Sequence, residues 1–456
     1  MTSSAKAAGG VPDGVIEESR GHRSFLKRVS GDVLRISGAV GLAQLLAFAA
    51  SPLLTRLYSP DAFGHFAVLG AIVTTLTPLA SLRYGWALPL PREEGVARDL
   101  LALCLIVVAG FAAVVGIAGT VLWTALEGWF TIRPVDIALL AVTMLVIGLH
   151  EVGTSWLVRQ QAFRQVAGVR FITLVATVAF QIVLGLLAPG ATSLMLGFIG
   201  GYLAGFLRGA WHYREALASS ARTMDRARMR DAAVEYRKFA LVTAPSGVIN
   251  GVGSMLPAWV LPSLYGLAMT GQWSLAARVL WQPVAFAGQA VNQVLWGTAA
   301  RLQHDDPKRL WLLFVALNAG LLAAMTPALV LVWYGEELFA LIFGPAWAEA
   351  GRYAGILVLG TIVSLAAQGT TSLHVYGLNL WMSAWEFARM AVVAATLAAA
   401  WWLGLSAMGC IVALTAANAV CDLGLMALNA LAVWRIRAGA ERPAPASPTL
   451  SRKPSA

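Results

Sequence analysis

The sequence has few charged residues. Asp, Glu, Lys and Arg make up 12% of its 456 residues, whereas a soluble globular chain carries about 25%. A surface with so few charges must face lipid over much of its area, which excludes an ordinary soluble fold. Hydrophobic residues make up 58%, and apolar segments of roughly 20 residues, long enough to cross a bilayer, recur between residues 36 and 433. The composition predicts an all-α membrane protein with many spans.

Cysteine is scarce, and the motifs of common enzymes are missing. The three cysteines, Cys104, Cys410 and Cys421, all lie within apolar stretches, which predicts core residues rather than a disulfide framework or a metal cluster. No Gly-rich phosphate loop is followed by Lys and Ser or Thr, which argues against a built-in ATPase. We therefore expect a protein that is not an enzyme and uses no metal or cofactor.

The net charge is +10, but its distribution argues against nucleic acid as a partner. Lys and Arg lie mostly in short links between apolar segments, which is typical of loops that stay in the cytoplasm. If successive links between spans alternate between the two sides of the membrane, 28 of the 33 Lys and Arg residues lie on one side and three on the other, with two inside spans. This division predicts cytoplasmic termini and twelve spans, near residues 36–56, 63–82, 100–125, 136–158, 168–188, 191–209, 239–262, 272–298, 310–334, 353–374, 380–403 and 406–433.

A basic link divides the chain into two halves of six spans. We expect a cytoplasmic N-terminal tail (1–30), a first six-helix bundle (31–209), a basic cytoplasmic linker (210–238), a second six-helix bundle (239–433) and a disordered tail rich in Pro, Ala and Ser (434–456). Two interpretations of the linker stay open. It is either a regulatory or partner-binding helix, or a segment held at anionic lipid headgroups.

The two halves share a short pattern, which predicts a duplication. Span 2 opens with Leu57-Tyr58 and Gly64-His65-Phe66, and span 8 opens with Leu264-Tyr265 and Gly271-Gln272-Trp273. Both segments read Leu-Tyr-x5-Gly-x-aromatic, with a constant offset of 207 residues. Duplicated halves are common in transporters, where the substrate site lies between the repeats. Both copies lead in the same direction, so the repeat is parallel.

Four spans carry polar residues along one face. Such groups are costly inside a bilayer and usually face a bundle interior or a water-filled cavity. The stripes predict a hydrated cavity, although bonding between helices is the alternative. They comprise Ser37, Gln44, Ser51 and Thr55 in span 1; Arg278, Gln282, Gln289, Asn292 and Gln293 in span 8; Thr361, Ser364, Gln368 and Ser372 in span 10; and Thr415, Asn418, Asp422 and Asn429 in span 12.

Arg278 is the main candidate for contact with an anionic substrate. It lies inside span 8, where a guanidinium needs a partner or water. One interpretation is a structural salt bridge to Asp422, Glu151 or Glu386. The other is a substrate contact, because a guanidinium matches the geometry of a phosphate.

Three acidic residues within spans are candidates for ion coupling. Asp422 is favoured because it lies on a polar stripe, and Glu151, beside His150 in span 4, is a second. Glu151 could instead bond to the basic link at Arg159. Glu386 is the third, although the spacing to Arg389 allows a self-contained ion pair on one helix face.

Several stretches resemble bacterial polysaccharide flippases of the multidrug/oligosaccharidyl-lipid/polysaccharide exporter superfamily. In the first half these are residues 52–64 (PLLTRLYSPDAFG), 80–84 (ASLRY) and 88–91 (LPLP). In the second half they are residues 271–278 (GQWSLAAR) and 339–351 (FALIFGPAWAEAG). The resemblance covers most of residues 30–433. Its motifs mark the family well and the substrate poorly.

The resemblance implies twelve helices in two bundles around a V-shaped central cavity. It also implies a flippase in the bacterial inner membrane that moves undecaprenyl-pyrophosphate-linked sugar units to the periplasmic leaflet, for O-antigen, lipopolysaccharide or exopolysaccharide synthesis. Basic cavity residues of the family meet the anionic groups of the substrate. That role falls here to Arg278, and less directly to Arg83 and Arg389. The expected partners are lipid-linked oligosaccharide, membrane lipids, and a polymerase with its assembly proteins.

Three alternatives are weighed against a flippase. A drug or cation exporter of the same superfamily would favour acidic and aromatic cavity groups, whereas the clearest stripe here centres on Arg278. A membrane glycosyltransferase or polymerase would display a long external loop with catalytic residues, and the external loops near 126–136 and 335–352 are short. A passive assembly protein would have little use for an internal Arg.

Overall fold

The computed structural model describes residues 41–42, 44–123, 132–222 and 225–440. This part of the chain contains no β-strand and is mostly helical, which confirms the all-α fold. The first half contains α1 (Ser51–Leu57), α2 (Pro60–Ala80), α3 (Glu94–Val121), α4 (Pro134–Arg159), α5 (Phe163–Leu187) and α6 (Ala191–Arg222). A linking helix, α7 (Arg226–Glu235), is followed by α8 (Ala244–Asp305), α9 (Pro307–Met325), α10 (Val330–Phe343), α11 (Ala348–Gly369), α12 (Asn379–Trp402) and α13 (Ala407–Ala440).

Nine helical stretches within the described ranges are long and apolar enough to cross a membrane. They include α2 to α6, α11 and α13, one stretch in the early part of α8, and one that joins α9 to α10. The chain is therefore a multi-span membrane protein. Predicted spans 7 and 8 both lie in α8, span 1 is only partly described, and α12, which matches span 11, is not among the nine. The number twelve stays a prediction.

Local sequence explains where several helices begin and break. The Ser59 side chain accepts a hydrogen bond from the backbone N–H of Ala62, and Pro60 takes the first helical position, so α2 begins there. Asp306 caps α9 in the same way. Helix α8 breaks at Gly266, whose φ of 86° is a conformation that other residues rarely adopt. The break separates two arms, residues 244–265 and 267–305.

The helices extend past two predicted boundaries. Helix α6 continues to Arg222, with one non-helical residue at Tyr213, so much of the predicted linker is helical. Helix α13 continues to Ala440, where a disordered tail was expected from residue 434. The Arg435 guanidinium lies 5.2 Å from the centre of the Trp381 ring, which ties this last turn to α12. Residues 1–40 and 441–456, which include most of both predicted tails, lie outside the described residues.

The halves meet where α2 crosses α8. A Cβ placed on Gly64 would lie 1.9 Å from the carbonyl oxygen of Leu267, and one placed on Gly271 would lie 1.9 Å from that of Pro60. Pro60 and Leu267 are separated by the same 207 residues as Gly64 and Gly271. The contact is therefore reciprocal, as at a two-fold axis. Only glycine permits this approach of two backbones.

A shared hydrophobic core surrounds the glycine crossing. Trp347, just before α11, is fully buried. Its ring meets that of Phe63 edge-on at 5.0 Å, and its Nε1 donates to the carbonyl oxygen of Thr55 at 2.8 Å. Tyr58 and Tyr353 are buried in the same cluster. The motif at residues 339–351, which marks the family resemblance, thus packs the second half against the first.

The residue after each crossing glycine connects its helix to a later helix of the same half. Nε2 of His65 lies 2.8 Å from Oδ2 of Asp136, at the start of α4. Gln272 donates to the carbonyl oxygen of Ala346 at 2.6 Å and accepts from the backbone N–H of Ala350 at 2.9 Å, at the start of α11. His65 and Gln272 occupy the same position of the repeated pattern, so the two halves use different groups for equivalent contacts.

Candidate functional site

Two cavities with polar groups in largely apolar walls lie within the second half. One has a volume of about 620 Å³ and the other about 330 Å³. Asn292 of α8, Gln368 of α11 and Arg389 of α12 line both, so the cavities adjoin. Their walls come from α8, α11, α12 and α13. The predicted site lies between the halves, whereas these cavities are lined by residues 246–425 alone.

Asp422 is the buried acid of the smaller cavity. It is 2% exposed, and the Ser364 hydroxyl donates to its Oδ2. Its Oδ1 is buried, and the side chains of Gln368 and Arg389 lie near enough to interact with the carboxylate. A buried carboxylate inside a membrane is costly and by default marks a candidate functional site. The position suits the ion-coupling role predicted for Asp422.

Arg389 lies on the opposite wall but does not make the predicted ion pair. Among the described residues no salt bridge joins it to Glu386, although both line the larger cavity. The Arg389 guanidinium instead lies 5.6 Å from the centre of the Trp385 ring, which is within cation–π range. The spacing of Glu386 and Arg389 permits pairing on a helix face, but the aromatic neighbour offers a competing partner.

Asn292 lies where the two cavities join. Its side-chain amide donates to the carbonyl oxygen of Gln368 at 2.8 Å, while its Oδ1 is buried without a described partner. Four residues further along α8, Trp296 donates from Nε1 to the carbonyl oxygen of Thr371 at 2.8 Å, and its ring meets that of His374 edge-on. Sequence reasoning identified Asn292 but missed Trp296 and His374, because hydrophobic and aromatic residues do not stand out within an apolar span.

The polar stripes of spans 8, 10 and 12 converge on the cavities. Thr361, Ser364 and Gln368 of α11 line the smaller one, as do Thr415, Asn418 and Asp422 of α13. Hydrogen bonding between helices also occurs, since Asn429 accepts from the backbone N–H of Ser372 at 3.0 Å. The side chains of Gln289 and Gln293 lie outside the described part of the structure. Gln282 is exposed and does not line either cavity.

The described residues of span 1 do not line either cavity. Ser37 lies outside the described residues, and the hydroxyls of Ser51 and Thr55 donate to the carbonyl oxygens of Ala47 and Pro52. These polar groups are satisfied by their own helix. The oxygen of Gln44 is buried without a described partner.

Arg278 is partly buried on α8 and lines neither cavity. In the described structure it has no salt bridge and no hydrogen bond, so none of Asp422, Glu151 and Glu386 pairs with it. The matching repeat position, Ala71, is buried in α2. An unpaired guanidinium inside a membrane helix needs water or an anionic ligand.

The first half holds a separate polar group at the predicted cytoplasmic end of α2. Arg83 has a left-handed conformation (φ 58°), and its guanidinium lies 4.1 Å from the centre of the Trp86 ring. Glu151 lies near enough to Arg83 to interact with it electrostatically. The alternative partner of Glu151, Arg159, instead donates to the carbonyl oxygens of Leu88 and Pro91. His150, beside Glu151, contacts the Thr173 hydroxyl at 3.0 Å.

No group of three or more His, Cys, Asp or Glu side chains within the described ranges is placed to hold a metal ion. Cys104 and Cys410 are buried in the core, and Cys421 is partly buried. The chemistry of the cavities is therefore that of hydroxyl, amide, carboxylate, guanidinium and aromatic groups.

Comparison with known sequences places the chain in a family of polysaccharide biosynthesis proteins. The profile of the family described as "Polysaccharide biosynthesis protein" matches residues 53–352, more than half of the chain. The succinoglycan biosynthesis transport protein ExoT of Rhizobium meliloti (strain 1021) is 25% identical over 347 residues. The match covers 74% of this chain and 66% of ExoT, so the chain spans slightly less than two thirds of that relative.

Solved structures of transporters share the fold. The lipid II flippase MurJ in an inward closed conformation gives a TM-score of 0.63 at 13% identity, covering 89% of this chain and 93% of that chain. A multidrug resistance MATE family transporter of the MOP superfamily, in an inward-facing conformation, gives 0.54 at 14% identity and covers 89% and 96%. These relatives and structural neighbours are transporters and flippases rather than enzymes. The identities with the structures are low, so these two matches establish the fold alone.

Proposed function

Since the chain belongs to the polysaccharide biosynthesis protein family, we propose that it moves undecaprenyl-pyrophosphate-linked oligosaccharide from the cytoplasmic to the periplasmic leaflet. The observation that carries the proposal is the pair of cavities inside a membrane helix bundle, each of which has amide, hydroxyl and charged groups in its walls. A pyrophosphate-linked sugar cannot cross hydrocarbon unaided, because burying an unpaired charge is very costly. A polar cavity can shelter the head of this lipid while the isoprenoid tail stays in the bilayer.

Alternating access in this proposal is a rocking of the two halves about their contact. Arg278, unpaired in the described structure, is the proposed contact for the pyrophosphate, because a guanidinium can donate two parallel hydrogen bonds to phosphate. Arg83 and Arg389 provide further cationic groups, at the end of α2 and in the second half. Asp422 is the proposed ion-coupling residue, with Glu151 and Glu386 as alternatives.

The name of ExoT favours an exopolysaccharide over an O-antigen as the product. The partners in this proposal are the lipid-linked oligosaccharide, membrane lipids and a polymerase that consumes the flipped unit.

We propose that both termini and the α7 segment face the cytoplasm, from the distribution of Lys and Arg. An Asp225→Cys variant in a background without the three native cysteines should react with an impermeant thiol reagent only after the membrane is opened. Labelling from the outside of intact spheroplasts would contradict this orientation.

One observation favours a second candidate, an exporter of drugs or organic cations. The cavities carry two carboxylates, Asp422 and Glu386, next to the aromatic ring of Trp385. Such a set can bind a cation by charge and by cation–π contact. Arg389 on the same walls opposes it, because a guanidinium repels a cationic ligand.

Deletion of the gene separates the two candidates. A flippase deletion should trap lipid-linked sugar on the cytoplasmic leaflet and abolish surface polysaccharide, and the wild-type chain should restore both. An exporter deletion should leave the polysaccharide normal and raise sensitivity to cationic drugs. The purified chain should turn over neither ATP nor nucleotide sugars. Turnover that is lost on a cavity substitution would contradict the transporter assignment.

A further inference from the structure

One face of the second arm of α8 has large aromatic residues at both ends and small residues between them. Trp281, Ala285, Gly288, Asn292 and Trp296 lie on this face, which we call the tryptophan face. The first four line the smaller cavity, and Asn292 and Trp296 line the larger. At 1.5 Å per residue, Trp281 and Trp296 are about 22 Å apart along the helix. Ala285 is exposed, whereas Gly288 is buried, and a Cβ placed on it would lie 3.8 Å from Gly369 and Leu365 of α11, so α8 and α11 approach each other between the two tryptophans.

Both tryptophans present their rings to space rather than to the core. Trp281 is 45% exposed and Trp296 is 43% exposed, although both line a cavity inside the protein. Ligand pockets are lined mainly by hydrophobic and aromatic side chains, and a few polar groups fix the orientation of the ligand. The apolar C–H faces of pyranose rings pack well against such rings.

The polar groups beside the tryptophan face suit hydroxyl ligands. Asn292 has a buried Oδ1 without a described partner, so it can accept a hydrogen bond from an O–H group at little cost. Gln368 lines both cavities on the facing helix, and Glu386 lines the larger one. Amide and carboxylate groups of this kind accept from sugar hydroxyls.

The charge balance of the cavities disfavours the pyrophosphate group. The two carboxylates, Asp422 and Glu386, face a single guanidinium, that of Arg389. A cavity without excess positive charge binds a polyanion less well than an unpaired guanidinium does. Arg278, the cation proposed for the pyrophosphate, lies on α8 but outside both cavities. Helix α8 thus carries Arg278 at a position away from the cavities and the uncharged tryptophan face along their walls.

We infer that the tryptophan face is a saccharide subsite, on which the sugars of the lipid-linked unit stack while the pyrophosphate lies outside these cavities. The inference rests on the proposed function and deepens it, because it makes the glycan, rather than the carrier lipid, the group that the second half recognises. An extended oligosaccharide can reach both tryptophans, whereas the bare carrier lipid makes no use of them.

Binding to the purified full-length chain tests this subsite. The probes are undecaprenyl pyrophosphate and the lipid-linked oligosaccharide fraction extracted from cells that lack the chain, and native mass spectrometry reports the bound lipid. The wild-type chain should prefer the linked oligosaccharide. Trp281→Ala and Trp296→Ala should each weaken its binding by about ten- to thirtyfold, as expected for loss of a central aromatic contact, and leave undecaprenyl pyrophosphate binding unchanged.

Two comparisons keep the test decisive. Trp401→Ala removes a tryptophan that is 71% exposed and lines neither cavity, so it should bind both probes as the wild-type chain does. Trp296 also donates a hydrogen bond to Thr371, whereas Trp281 has no described hydrogen bond. Normal oligosaccharide binding by a folded Trp281→Ala chain would therefore overturn the subsite.

The same experiment distinguishes failure of the subsite from failure of the proposed function. If the wild-type chain restores surface polysaccharide but binds both probes equally, the subsite is wrong and the flippase stands. If the deletion strain traps no lipid-linked sugar, the proposed function is wrong and the subsite fails with it. Displacement of the linked oligosaccharide by tetraphenylphosphonium would assign the tryptophan face to organic cations instead.

Discussion

The two halves share their contact with each other and differ in their interiors. At the crossing, Gly64 and Gly271 make reciprocal contacts. Away from it, close helix packing is seen in the described part of the first half, and the two cavities described above lie in the second. Cβ atoms on Gly201 and Gly205 of α6 would each lie 1.9 Å from a threonine hydroxyl of α5, so these helices pack at very short range, as small residues allow in membranes.

The equivalent helices of the second half, α12 and α13, flank cavities instead. Arg389 of α12 and Asp422 of α13 line the smaller one. The two halves thus share the glycine contact that joins them and differ in how their described interiors are packed. The proposed function uses this difference, because it assigns the substrate to the cavities of the second half.

Breaking the shared contact should have the largest effect. Gly64→Val and Gly271→Val each force a side chain into a backbone carbonyl, which should cost at least about 3 kcal/mol and remove folded protein from the membrane. Protein level and the melting temperature of the detergent-solubilised chain measure this. Gly70→Val, on the same helix as Gly64 but with nothing within 4 Å of its Cβ, is the control and should accumulate normally. Equal protein levels and melting temperatures for Gly64→Val and Gly70→Val would contradict the close backbone contact at Gly64.

Removing the negative charge of Asp422 should abolish transport and leave folding intact. Asp422→Asn keeps the shape of the side chain and its contact with Ser364, so the protein should accumulate, but surface polysaccharide should fall at least about tenfold if Asp422 binds the coupling ion. The control is Asp99→Asn, a buried carboxylate of the first half that lines neither cavity. Full transport by the Asp422 variant would move ion coupling to Glu151 or Glu386.

Substitution of Arg278 tests whether the two halves differ in function at matched positions, because the matching position of the first half holds Ala71. Arg278→Ala should lose transport at a normal protein level, and Arg278→Lys should recover part of it, because an ammonium cannot donate in parallel like a guanidinium. The readout is lipid-linked sugar trapped on the cytoplasmic face. If Arg278 is structural, Arg278→Ala should instead lower protein level, and the exchanged pair Arg278→Asp with Asp422→Arg should restore it. Normal polysaccharide in Arg278→Glu would remove the residue from the mechanism.

The smallest effect on stability is expected when His65 is replaced by Gln, the residue at the equivalent position of the second half. His65→Gln places the group of the second half into the first, and it can still donate to Asp136, so the melting temperature should change little. His65→Ala leaves the Asp136 carboxylate with one partner fewer and should cost about 1–3 kcal/mol. A His65→Gln chain as unstable as His65→Ala would show that the imidazole itself is required.

Sequence reasoning succeeded where membrane physics is strict. Hydropathy located most of the helices because a bilayer requires a roughly 20-residue apolar helix. The repeated pattern indicated equivalent positions in the two halves, but it did not predict that Gly64 and Gly271 lie at the contact between them. Sequence reasoning did not foresee the placement of Arg389 over Trp385, because helix spacing shows which groups can meet and not which of two partners is preferred. Nor did it find Trp281 or Trp296, since an apolar span conceals which rings face a cavity. The position of the cavities depends on how the helices are rotated, which hydropathy leaves open.

The glycine crossing has a mechanical consequence. At the Gly64–Gly271 contact the two helices meet backbone to backbone, and the side chains that join the halves, such as Phe63 and Trp347, pack around this point. The contact can therefore act as a pivot. From Gly271 to Asp305 the second arm of α8 runs roughly 50 Å, so a swing of roughly 10° about the pivot would displace its far end by roughly 9 Å. A small rotation about the glycine crossing would therefore produce a large displacement at the far end of α8, on the other side of the membrane.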